Sequence, residues 1–215
     1  MAHLVRALLL LLIAGGALYF ASSAKAASVT WTGDGTTNNW SDGLNWSTGA
    51  APGSSDVAIF DGTSSKDATI NVVANVAGIQ IAAGYSGTIT QASVTTTVGA
   101  SGFSLADGMF VGSTSAITVN GAFTLIGGSF TSTTGNLSVS GNFTYAGGAF
   151  APNGGTVIFI GGAATVDVPG AETFNNLRFA PTTAGAVKTI TSGTTLIAQG
   201  TLTLTEGAIG TGTVA

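Results

Sequence analysis

Beyond residue 27, apolar and small polar side chains alternate with a period of two. Ile117-Thr-Val119, Phe123-Thr-Leu125, Leu137-Ser-Val139 and Phe143-Thr-Tyr145 each set two apolar residues around one hydroxyl. Successive side chains of a strand point to opposite faces, so the alternation predicts short strands with one face buried. No apolar stripe of period 3.6 occurs after residue 27 and β-branched residues are abundant, which predicts almost no helix in that part of the chain.

The strands recur. Gly121-Ala-Phe123-Thr-Leu125-Ile-Gly127-Gly128-Ser-Phe130 returns as Gly141-Asn-Phe143-Thr-Tyr145-Ala-Gly147-Gly148-Ala-Phe150, offset by 20 residues at every position. Ile117 and Val119 match Leu137 and Val139 in the same phase, and Val157 and Phe159 continue the series. Weaker copies keep an apolar pair seven residues apart around a glycine, Phe103 with Phe110 and Leu202 with Ile209. Two architectures fit this pattern. Gly127-Gly128 and Gly147-Gly148 read as two-residue hairpin turns give an antiparallel meander. Read as corners, they give a coil whose successive turns stack like on like, and a fixed period favours this second reading. The expected core residues are Val119, Phe123, Leu125, Phe130, Val139, Phe143, Tyr145, Phe150 and Phe159. Coils stack at about 4.8 Å, so roughly seven of them would form a rod about 35 Å long.

The first 26 residues have a different character. Arg6 precedes a mostly apolar run from Leu8 to Phe20, and Ala24-Lys25-Ala26 supplies a small-x-small cleavage site, the pattern of a secretory signal peptide. The apolar run is shorter than the ~20 residues of a spanning helix and is broken by Gly15-Gly16, so no membrane span is expected in the mature chain. The domain division expected is 1–26 signal peptide, 27–64 Trp-containing N-terminal cap and 65–215 β-solenoid. The pattern is still running at Ala215, so further repeats are expected to cover the C-terminal edge.

Composition then narrows the chemistry. Without the leader, three basic residues (Lys66, Arg178, Lys188) face nine acidic ones, a net charge of −6. Nucleic acid is therefore not an expected partner, because binding by phosphate neutralisation needs many cations. Cysteine is absent and the single histidine, His3, lies in the leader, which removes Ser-His-Asp triads, Cys nucleophiles and ordinary zinc sites. Asp34, Asp42, Asp56, Asp61 and Asp67 are spaced for neither an EF-hand nor a calcium-binding nonapeptide repeat and read as turn residues. Gly33-Asp34-Gly35 lacks the strand-loop-helix setting of a dinucleotide loop. Asp167 and Glu172 are the nearest late carboxylate pair, with Arg178 and Lys188 beyond, too few groups to build a glycan-cleaving groove. No cofactor, no metal and no catalytic residue are expected.

All three tryptophans, Trp31, Trp40 and Trp46, sit within sixteen residues. They are the candidate glycan-stacking residues, and the competing expectation is that they fold over the first coil and seal its interior.

The segment Trp31-x-Gly33-x-Gly35-x-x-Asn38-x-Trp40-Ser-x-x-x-Asn45-Trp46, followed by Pro52, Asp56 and Phe60, resembles the start of modules in bacterial surface proteins of the autotransporter-associated β-strand repeat type. Thr173-Phe174-Asn175-Asn176-Leu177 is similar to a strand of Gly/Thr-rich surface solenoids. The resemblance implies an exported, β-helical protein of surface display or adhesion, and carries no catalytic residue with it. Together the readings predict an all-β, right-handed parallel β-helix (solenoid) with coils of about 20 residues after a cleavable signal peptide. The expected function is a secreted, cell-surface structural or adhesin-like scaffold, a fragment of a larger repeat protein, with a glycan or a host or cell-surface protein as partner. The alternatives are a carbohydrate-binding module built on the Trp cluster and a β-helix glycan-degrading enzyme.

Overall fold

A computed structural model describes residues 26–205 and 208–215. The expected signal peptide, apart from Ala26, lies outside the described residues. Within them the chain is all-β, and the one helical element is a short 3-10 turn, Gly43–Asn45. Every ladder between the described strands is parallel, which excludes the antiparallel meander. About seven turns stack as a β-solenoid.

Each middle coil contributes three short strands, one per face. The first face stacks Ile117–Val119, Asn136–Val139, Thr156–Phe159, Asn176–Phe179 and Leu202–Leu204. The second stacks Ala27–Thr30 and Asp56–Phe60 at its start, then Phe123–Leu125, Phe143–Tyr145, Ala164–Asp167, Val187–Ile190 and Ala208–Ile209. Two long strands, Ala74–Ile81 and Thr96–Leu105, run round the corner and serve both faces. The third face carries Ala68–Ile70, Thr88–Gln91, Met109–Val111, Ser129–Thr131 and Ala149–Ala151. A separate ladder follows it, Ala171–Phe174 with Thr195–Ala198 and Thr213–Val214.

Like does sit on like. Phe123 lies 5.3 Å from Phe103 and 4.8 Å from Phe143, with the rings within 6° of parallel. A second stack on the third face runs Phe110, Phe130, Phe150 at 5.1 and 5.8 Å. The two stacks meet edge to face, Phe123 against Phe130 at 4.9 Å and 82°. Positive ring edges thus contact negative ring faces, and each such pair adds about 0.5–1.5 kcal/mol beyond area burial. Val119, Leu125, Val139, Phe143 and Phe159 are buried as expected, whereas Tyr145 is only half-buried and turns its hydroxyl to donate to the Gly148 carbonyl.

The 20-residue register is a property of the middle coils alone. Phe123 pairs Phe143, but Phe143 pairs Val166, 23 positions on, and Phe159 on the first face pairs Phe179 after 20 while Phe179 pairs Leu204 after 25. The extra residues fall at corners, where they do not disturb strand pairing. One expectation changes in consequence. Leu202 and Ile209 are not a late copy of the Phe103 and Phe110 pair, because Leu202 stacks on Leu177 of the first face and Ile209 on Lys188 of the second.

Corners hold by backbone approach and by polar side chains. Gly108, Gly128 and Gly148 stack with positive φ, and a Cβ on Gly128 would stand 2.5 Å from the Gly108 carbonyl oxygen, so the corner admits only glycine. Between the third and first faces a column of polar side chains reaches back one coil. Ser113 Oγ donates to Ala92 O at 2.7 Å, Thr133 Oγ1 to Ser113 O at 2.9 Å, Asn153 Nδ2 to Ser132 O at 2.9 Å and Asn175 Nδ2 to Gly154 O at 2.8 Å. These bonds tie each corner to carbonyls of the coil before it.

Candidate functional site

The segment expected to cap the rod does so with its tryptophans. Ala27–Thr30 pairs Asp56–Phe60, so these two strands of the cap segment already belong to the second face, and the loop between them folds back over the first coil. Trp31, Trp40 and Trp46 are 0–2% exposed. Trp46 sits edge-on to Trp31 at 5.1 Å and to Trp40 at 4.7 Å, and all three lie within 6.1 Å of Phe60. Two of the three indole nitrogens are occupied too: Trp31 Nε1 donates to Lys66 O and Trp46 Nε1 to Trp40 O. The glycan-stacking expectation for Trp31, Trp40 and Trp46 is therefore corrected by their burial. A sugar ring needs an open indole face, and here those faces close the apolar interior.

A buried polar knot secures the cap. Asn45 is fully buried: its Oδ1 accepts from Gly35 N and its Nδ2 donates to Thr37 O and Asn39 O. The Lys66 ammonium donates to Gly33 O at 2.9 Å, to Gly35 O and to Asn45 Oδ1. The Gly33-Asp34-Gly35 loop thus turns carbonyls onto a cation, the opposite polarity to a phosphate loop. Tyr85 donates its hydroxyl to Lys66 O, and burial together with the Asp67 charge raises its pKa.

The carboxylates serve turns. Asp42 caps the 3-10 turn through Leu44 N and accepts from Thr37 Oγ1, and that bond to Thr37 holds its pKa below the ordinary value. Asp61 is lowered by its bonds to Thr63. Asp67 accepts from Thr88 N, and Asp107 from Gly84 N. Among the described residues no group of three or more His, Cys, Asp or Glu side chains could hold a metal ion. Asp167 accepts from Thr194 Oγ1 on the second face, while Glu172 sits half-buried on the third-side ladder, where burial raises its pKa.

Two basic residues have unanticipated roles. Lys188 is 1% exposed, and its ammonium donates across the interior to Ser140 O and Ile160 O, the corner carbonyls of two successive coils. Burial lowers its pKa. Period two gives the signal for this placement: in Val187-Lys188-Thr189-Ile190, Lys188 shares a side with the buried Ile190. Arg178, in Leu177-Arg178-Phe179, points outward by the same rule and stays exposed, with Nε donating to Thr205 Oγ1 at 3.1 Å. It separates two hollows on the outer surface of the first face, of about 470 and 320 Å³.

Compared with known proteins, the chain matches no family model, no curated protein and no solved structure. Among the described residues no helix is long and apolar enough to cross a membrane.

Proposed function

We propose that this chain is a secreted, cell-surface β-solenoid scaffold of the adhesin-like kind, and not an enzyme. The observation that carries the reading is the pair of phenylalanine stacks running through the middle coils beneath a tryptophan-sealed end. Such an interior gives length and stiffness, and because each coil needs only its neighbours, it supports rods of many coils. The outer faces display mainly Thr, Ser and Asn, which keep a chain of low charge hydrated without shaping a catalytic cleft. Most of the described carboxylates and both lysines of the mature chain are engaged in turns, corners and the cap, which further supports a structural use. Export rests on the leader pattern of residues 1–26, and similarity to surface repeat modules rests on the Trp31 to Phe60 motif.

The test uses cells that make the full chain. Antibody to the solenoid should label intact cells, and the mature protein should begin at Ala27. Labelling only after permeabilisation, with residues 1–26 retained, would overturn the reading.

A further inference from the structure

We infer that the outer surface of the first face binds a carboxylate-bearing glycan at Arg178. The inference rests on the scaffold reading and names its ligand class. The five basic residues of the chain include two in the leader, and the Lys66 and Lys188 ammonium groups are both held by backbone carbonyls. Arg178 is therefore the one side-chain cation among the described residues that is offered to solvent. Its Nε bond to Thr205 Oγ1 steadies the side chain, and among the described residues its two Nη groups make no hydrogen bond, the fork that grips a carboxylate through parallel hydrogen bonds.

The surroundings are built for the rest of a sugar chain. Among the described residues no Asp or Glu lies on a first-face strand, although the protein as a whole is acidic. Arg178 pairs with Ile158 on one side and Thr203 on the other, so the cation stands in the middle of a column running along the rod. On one flank the smaller hollow is lined by Asn136, Thr156, Asn176 and Thr201, four amides and hydroxyls that can exchange hydrogen bonds with a polyol. On the other flank the larger hollow has the half-buried Ile160 and Ala180 on its wall and the exposed Thr182 at its rim, over a floor of the buried Ile158 and Pro181, a small apolar patch for part of a ring's carbon face. A ligand spanning both hollows would meet hydroxyl partners, one carboxylate partner and an apolar patch.

An acidic peptide fits less well. Peptides most readily join a sheet by adding a strand at an edge. Here Thr156–Phe159 and Asn176–Phe179 are paired on both sides, so no strand can add directly beside Arg178, and the one-sided strand of this face is Leu202–Leu204, one coil on.

The experiment is calorimetry on the mature chain with an oligogalacturonate as probe. Comparison ligands are the same oligosaccharide with its carboxyls reduced to alcohols, and poly-L-glutamate. The expected result is binding of the oligogalacturonate, at least a tenfold loss in Arg178→Gln with an unchanged far-UV spectrum, partial retention in Arg178→Lys, and a comparable loss for the reduced ligand. The inference is overturned if the oligogalacturonate does not bind, if Arg178→Gln binds it equally, or if poly-L-glutamate binds as tightly. None of these outcomes bears on surface display, which is decided by labelling of intact cells.

Discussion

Phe143 is one of the rings with four aromatic neighbours, and removing it is a sharp test of the stacked core. The side chain is fully buried and has four rings within 6.1 Å: Phe123 stacked at 4.8 Å, Phe150 and Phe159 edge-on at 5.9 and 5.7 Å, and Phe174 at 6.1 Å. Phe→Ala in a core costs about 3–5 kcal/mol from lost transfer energy and the cavity left behind. Parallel ladders above and below pin the coil in place, so the cavity cannot collapse, and aromatic pairs worth about 0.5–1.5 kcal/mol each disappear with the ring. Phe143→Ala should therefore fall near the top of the range, about 5 kcal/mol, which is at least a third of the ~5–15 kcal/mol of a typical domain. Urea unfolding of the mature chain followed by far-UV circular dichroism measures it. Tryptophan fluorescence adds a local reading, because all three tryptophans lie in the cap at the start of the rod. The far-UV midpoint should drop strongly and the fluorescence midpoint less, since coupling passes from coil to neighbouring coil. A cost under about 1 kcal/mol would refute the stacked core as the source of stability.

Two other outcomes follow from the corners. Lys188 has a lowered pKa in the folded chain, so between that value and the unfolded value of 10.5 the unfolded state binds more protons, and stability rises with pH through this window. Thermal melts across the alkaline range should show the rise in the parent and a flatter profile in Lys188→Met; equal slopes would show that the ammonium is not confined. Gly128→Ala places a Cβ 2.5 Å from Gly108 O at φ +62°, so unfolding midpoints should report a loss above the ~1–2 kcal/mol of left-handed strain alone, and a neutral substitution would mean the corners do not touch.

Much of the interior was legible because the chain writes it twice. Phe123 and Phe143, or Phe130 and Phe150, are equal residues at equal spacing, and only stacking rewards that identity. The cap tryptophans were harder, since large amphipathic rings clustered in a loop fit either a glycan platform or a plug; the choice depends on Phe60 lying beneath them, a contact the sequence does not display. The buried place of Lys188 is less legible, because a lysine ordinarily keeps its charge in water, though its parity with Ile190 puts it inside. The late coils misled for another reason. Corner insertions shift the spacing without altering the strands, so Leu202 imitated Phe103 while belonging to a different face. The hollows beside Arg178 had no linear signature at all, because their linings come from residues on separate turns such as Ile158 and Pro181.

The interchangeable turns between Val119 and Phe159 have an evolutionary corollary. Each presents to the turn above the same surface it presents to the turn below, so an in-frame duplication or deletion of one unit leaves both junctions chemically satisfied and alters only the reach of the molecule. Lineages can then tune how far the tip stands from its base by copy number, with no new interior to invent, while the plugged beginning stays as it is.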